Sequence, residues 1–214
     1  MSSSSEVGGG VPQWIVTFAD LMTLLFCFFV LLTTLSTQPK SCTGIMEYLE
    51  SNSDRFKNFE LRSSKLQCVL SLPSDYLFKS GSDVVQAGAL RSLAPMFRAI
   101  KEMEEHKKDL LIVEGHTDDV PIKTKKFPSN WELSSARATN IATYLVNQLN
   151  YPHSMVSVSA YADSRPKERY VDDYGKRKRG AELRETRKTN RRVEIILEKQ
   201  PKSREETKVL FDGR

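Results

Sequence analysis

Residues Trp14 to Leu35, WIVTFADLMTLLFCFFVLLTTL, are 22 consecutive positions in which Asp20 is the sole charged side chain. At the rise of an α-helix this run is roughly 33 Å long, enough to cross a hydrocarbon core of about 30 Å. Pro12 suits a first helical turn, and Trp14 sits where an interfacial aromatic is expected. A cleaved signal peptide is the competing reading. It fits poorly, because MSSSSEVGGG carries no Lys or Arg and the apolar run is too long. The sequence therefore predicts one permanent span. The charge count beside it leans weakly against a cytoplasmic N-terminus, since the N-terminal tail is uncharged by Lys or Arg while Lys40 lies just past the span.

A carboxylate in such a helix costs about 2.5–3.5 kcal/mol on insertion scales, so Asp20 needs a reason. Thr17 and Thr23 flank it at three residues on either side, and Cys27 and Thr34 continue a small, polar stripe, while Phe26, Phe28, Phe29, Val30 and Leu32 spread elsewhere. That stripe suits another helix better than lipid. Two roles remain open on this ground: Asp20 binds and releases a cation or proton, its bound form being neutral, or it hydrogen-bonds a partner helix during assembly.

Beyond the span the chain divides by texture. Residues 1–11 are Ser/Gly-rich and read as a disordered tail, 12–36 as the transmembrane helix, 37–64 as a polar connector, 65–198 as a globular α/β domain and 199–214 as a charged tail. LQCVLSLP, DLLIVEGHTDD, MVSVSAYA and RRVEIILE read as strands. AGALRSLAPMFRAIKEME and WELSSARATNIATYLVNQL have the apolar period of helices packed on a sheet. The connector is weakly amphipathic through Ile45, Met46, Leu49, Phe56 and Phe59. Three cysteines are present, and nothing in the spacing of Cys42 and Cys68 recommends a disulfide between them.

The net charge of +5 is uneven. Asp163 to Arg192 holds twelve Lys/Arg against six Asp/Glu, a local excess of +6. Such a segment could meet phosphates, but a membrane-tethered domain makes nucleic acid a poor partner, and a solvated loop and helix is expected. Glu114, His116 and Asp118 alternate along one strand and could together hold a metal. The plainer reading is that His116 hydrogen-bonds to hold the following loop; no metal is expected. No serine, cysteine or paired-carboxylate constellation points to an enzyme.

VEGHTDDVPIKTKKFPSNWELSSARATNIATYL, VSVSAYADSRP and RKTNRRVEIIL together resemble the OmpA-like peptidoglycan-binding domain carried by OmpA, Pal and MotB-type motor subunits, over about Leu66 to Leu197. The resemblance implies a mixed sheet in an α/β fold. It also implies that Asp118 and Arg137, with Asn130, Leu133 and Arg191, hold the amino-acid end of diaminopimelate in the peptidoglycan stem peptide. A carboxylate then receives the ammonium, and a guanidinium fork takes the carboxylate. Lys123, Lys125 and Lys126 in an enlarged loop depart from the family pattern.

WIVTFADLMTLLFCFFVLL in turn resembles the single transmembrane helix of the B subunits of flagellar stators, MotB and PomB. That resemblance implies ion transport through Asp20, with Thr17 and Thr23 as helpers. It implies no cofactor, the transported ion being Na+ or H+. The expected partners are a second copy of the chain, a multispanning MotA/PomA-like A subunit in a 5:2 complex, peptidoglycan and the membrane. The expected location is the bacterial inner membrane, with the N-terminus cytoplasmic and the domain periplasmic. A flagellar motor is the first expectation. The short connector also fits nonflagellar relatives such as Zorya-type anti-phage motors, and Ile45 to Phe59 is a candidate for a reduced plug.

Overall fold

The computed structural model describes residues 12–36, 42–57, 59–64 and 67–199. The expected tails, 1–11 and most of 199–214, lie outside the described residues. The chain forms two units, residues 1–39 and 40–214.

The first unit is α1 (Gln13–Ser36). Its side chains are exposed from Gln13 to Thr33. Among the described residues it is the one helix long and apolar enough to cross a membrane. Thr17 donates its hydroxyl to the Trp14 carbonyl (3.0 Å), and Thr23 donates to those of Ala19 and Asp20 (3.0 and 2.9 Å). The helix thus satisfies both hydroxyls internally, as apolar surroundings demand.

The second unit is a five-stranded sheet with helices packed against it. In chain order it comprises α2 (Thr43–Ser51), α3 (Ser53–Phe56), β1 (Glu60–Ser63), β2 (Gln67–Pro73), α4 (Ser74–Leu77), α5 (Ala87–Glu102), β3 (Leu110–His116), α6 (Asn130–Leu149), β4 (Val156–Ala162), α7 (Gly180–Asn190) and β5 (Arg192–Glu198). The strand order is β1-β2-β5-β3-β4, with β3 and β4 parallel and every other neighbour antiparallel. This is the mixed sheet expected from the sequence.

Period-two alternation sorts the strands' side chains. Leu70 and Leu72, Leu111 and Val113, and Val193, Ile195 and Leu197 enter the core, where they meet Leu93, Met96, Phe97 and Ile100 of α5 and Ala138, Ile141 and Leu145 of α6. Each of the large aliphatic side chains contributes about 1.5–3 kcal/mol by leaving water. The opposite sheet face carries Ile112, Glu114 and His116 from β3 and Glu194 and Ile196 from β5. Gly115 lies against α6 so closely that a Cβ there would stand 2.1 Å from the Ser134 carbonyl oxygen. Glycine at this point sets how near α6 approaches β3.

The structure corrects the extent of the connector. The described residues of the expected connector, 42–57 and 59–64, are part of the domain: Ile45 and Phe56 are buried in its core, and β1 is a sheet strand paired with β2. It also corrects the expectation for the cysteines. Cys42 and Cys68 form a disulfide, their Cα atoms 5.7 Å apart. The bond fastens the start of α2 to β2, and sequence spacing held no hint of that proximity.

Candidate functional site

The ends of β3 and β2 and the start of α6 converge on one cavity. It measures about 750 Å³ and is lined by Asp75, Phe78, Lys79, Thr117, Asp118, Ile122, Asn130, Leu133, Arg137 and Arg191, among others. Residues far apart in sequence meet here because strand ends and a helix N-terminus share one edge of the sheet.

The start of α6 is tightly specified. Ser129 accepts a hydrogen bond from the Trp131 amide, and Glu132 accepts from the Ser129 amide (2.8 Å), closing a capping box. The Ser129 hydroxyl holds the Glu132 carboxyl below its usual range. Asn130, Leu133 and Arg137 follow at helical spacing, so all three face the cavity. Asn130 fixes the loop above it: its amide donates to the carbonyls of Asp118 (3.3 Å) and Val120 (3.0 Å), and its carbonyl accepts from the Ile122 amide (3.1 Å).

Asp118 and Arg137 both line the cavity, yet they are not paired with each other. Asp118 Oδ2 accepts from Arg191 (2.8 Å), and its Oδ1 accepts from the Val120 amide (3.1 Å). Arg191 also grips Asp75, at 2.7 and 3.2 Å. The two carboxylates, Asp75 first, raise the Arg191 guanidinium above its ordinary value. Arg191 is thus a cross-brace between α4 and the strand end as well as a cavity wall. Arg137 is different. It is 4% exposed, its Nε donates to the Ser82 carbonyl (2.9 Å), and its guanidinium lies 5.0 Å over the Phe78 ring. Among the described residues no carboxylate lies within ion-pair distance of it. Burial pushes its pKa down, and the fields of Asp75 and Asp118 oppose that only in part. A buried cation whose partners are a carbonyl and a ring, lining an open cavity, is arranged to receive an anionic group from outside.

The basic segment is largely neutralised within the fold. Arg187 holds Asp119 at 2.6 and 3.2 Å, joined there by Arg177, and this lowers the Asp119 pKa. Lys167 pairs with Glu60, and Arg192 with Glu194. In the enlarged loop, Lys126 binds Asp83 at 2.6 Å and lowers its pKa, so this lysine fastens the loop rather than decorating a rim.

Two expectations need correction. His116 makes no loop-holding hydrogen bond, since both its ring nitrogens are buried without a partner among the described residues. The set able to hold a metal is not Glu114, His116 and Asp118 but Glu114, His116 and Glu194. β3 ends at His116 with a register shift after Gly115, so Asp118 leaves the alternation and turns to the cavity. Asp75, Phe78 and Asp119 escaped sequence reasoning. Only the double aspartate of GHTDD marked Asp119, and Asp75 and Phe78 become visible only once β2 and β5 are paired.

Comparison with known proteins agrees with this geometry. Residues 77–180 match the OmpA family, and residues 2–52 match the family described as membrane MotB of the proton-channel complex MotA/MotB. The uncharacterized protein YtxE of Bacillus subtilis is 29% identical over 230 residues, covering 87% of this chain and 88% of YtxE. Motility protein B of the same organism is 32% identical over 87 residues, 41% of this chain but only 29% of that protein. Among solved structures, the cell wall anchor of the T6SS from Pseudomonas aeruginosa has a TM-score of 0.57 at 25% identity, covering 76% of this chain and 99% of that one. The periplasmic domain of Helicobacter pylori MotB shares the fold with a TM-score of 0.58 at 24% identity, over 72% and 90% of the two chains. With one apolar N-terminal helix long enough to cross a membrane ahead of the sheet domain, the chain is similar to MotB-type proteins in its first part and to the OmpA family in its second.

Proposed function

We propose that this protein is the B subunit of an ion-driven stator, anchoring the complex to peptidoglycan through the cavity while Asp20 carries Na+ or H+ across the membrane. The observation that carries the anchoring half is Arg137, a buried guanidinium without a carboxylate partner among the described residues, beside Asp118 in an open cavity. A zwitterionic amino-acid end fits such a pair. Arg137 takes the carboxylate, and Asp118, whose oxygens retain free lone pairs, takes the ammonium. Leu133 lies against the ligand's aliphatic stem, while Asn130 and Arg191 keep the pocket edges in place.

The transport half is supported by a carboxylate in a spanning helix whose sequence matches the MotB membrane segment. Two copies beside an A-type partner in a 5:2 complex would bury Asp20, with Thr17 and Thr23, three residues to either side, as its helpers. The Cys42–Cys68 bond supports an N-terminus in the cytoplasm and a domain on the far side, because disulfides persist outside the reducing cytosol. A flagellar motor is the first assignment, with a nonflagellar motor of the same family as its alternative. Similarity to the T6SS cell wall anchor favours a second reading, a passive anchor that moves no ion.

Arg137→Ala tests the grip. Sedimentation of the full chain in detergent with insoluble peptidoglycan should lose about 1.5–3 kcal/mol of binding, roughly 10- to 150-fold, as expected for a charge-assisted bond. Unchanged sedimentation of a folded Arg137→Ala protein would remove the cavity from the account.

A further inference from the structure

On the sheet face opposite the core, Glu114 of β3 and Glu194 of β5 stand directly opposite each other in the antiparallel register. Like charges placed so are destabilising unless something bridges them. The end of β3 adds His116, 2% exposed, with neither ring nitrogen hydrogen-bonded among the described residues. Its Nε2 lies 3.6 Å from Glu114 Oε2 and 3.9 Å from Glu194 Oε2, and the three donor atoms all lie within 4.8 Å of one another. These separations are too long for hydrogen bonds. They approach the spacing of ligands around a tetrahedral metal, whose donors at 2.0–2.2 Å sit about 3.4 Å apart.

We propose that Glu114, His116 and Glu194 bind a divalent transition metal of the zinc class. One imidazole and two carboxylates form a nitrogen–oxygen donor set suited to Zn2+ or Mn2+. The surroundings complete the site. The His116 ring stacks on Tyr161 (5.5 Å between centroids), and Arg165 lies 3.7 Å over that tyrosine, which fixes the imidazole's plane. Glu194 presents Oε2 to the site while Oε1 accepts from Arg192 (2.9 Å) and Arg62 (2.5 Å), so its carboxylate is oriented from behind. The two carboxylates balance the cation. Arg62 is half-exposed and lies 3.9 Å from Glu60 as well, so its charge is shared between two carboxylates. The metal would tie β3 to β5 two residues before Asp118, bracing the strand end that carries the cavity.

The test uses the untagged full chain in detergent, stripped with a chelator and titrated with ZnCl2 against a chromophoric competitor. One Zn2+ per chain is expected, with a higher melting temperature than the stripped protein. Glu114→Gln, at the more exposed edge, should keep the apo fold and weaken binding at least tenfold. His116→Gln should abolish binding, and Co2+ loading of the unaltered protein should give visible d–d bands that Glu114→Gln lacks. His153→Ala is the control and should bind as the unaltered chain does. Failure to bind one equivalent, or binding that survives both Glu114→Gln and His116→Gln, overturns the proposal.

Discussion

Removing the Cys42–Cys68 bond should lower stability by an amount that follows from chain entropy. The bond closes a loop with a sequence separation of 26. For a loop of that length the entropy withheld from the unfolded chain is roughly 12 cal/mol/K, or about 3.5 kcal/mol at 25 °C. A domain of this size loses about 2–4 °C of melting temperature per kcal/mol, so the expected drop is about 10 °C. The native contacts of α2 and α3 do not need the bond, since Ile45 and Phe56 remain in the core. The loss should therefore appear in the transition temperature without an earlier, separate step. The assay is thermal circular dichroism of the full chain in detergent, with and without reductant, alongside Cys42→Ser/Cys68→Ser. Cys27 is kept in both proteins. The double variant should melt about 10 °C lower and ignore reductant, while the unaltered chain should fall to match it once thiol titration shows the bond open. A shift under about 2 °C on verified reduction would refute the reasoning, because the loop would then be constrained by packing alone.

Asp119→Asn should cost about 2 kcal/mol, because it breaks charge-assisted bonds from Arg187 of α7 and from Arg177 in the loop before it, which hold both to the segment after β3. The pH dependence has a definite sign. The folded Asp119 pKa is depressed, so its stabilisation is complete above the unfolded value of about 3.9 and fades as pH falls through the folded pKa. Melts between pH 6 and 3 should thus decline more steeply for the unaltered protein than for Asp119→Asn. Gly115→Ala should destabilise by about 1–3 kcal/mol or prevent folding, because the added methyl meets a backbone carbonyl that cannot yield cheaply. Urea denaturation checks this, and a near-neutral result would mean that α6 is free to move off the sheet.

What the sequence revealed, and what it hid, follows from the range of the interactions. The helix that carries Leu133 and Arg137 was legible from its apolar period, a local property that survives without tertiary structure, whereas the roles of Asn130, Leu133 and Arg137 came from the resemblance to OmpA-like domains. The spanning helix was legible for the same reason. β1 was missed because four residues, ELRS, with one half-buried side chain carry too little alternation to stand out. The pairing of Asp118 with Arg191 rather than Arg137 depends on where β5 begins, 73 residues away in the chain. Glu194 as the companion of Glu114 and His116 likewise required the β3–β5 register. Counting charges between Asp163 and Arg192 overstated their freedom, since Arg177, Arg187, Arg191 and Arg192 are each committed to a carboxylate.

The central claim joins a cation path in α1 to a wall grip in the sheet domain, and Asp20→Asn separates the two. The chain is to be reconstituted in vesicles with the proposed A-type subunit, and cation uptake measured under an imposed gradient of Na+ or H+. The account predicts that uptake falls to background in Asp20→Asn while sedimentation with peptidoglycan is unchanged. Uptake by Asp20→Asn at the rate of the unaltered protein would contradict it.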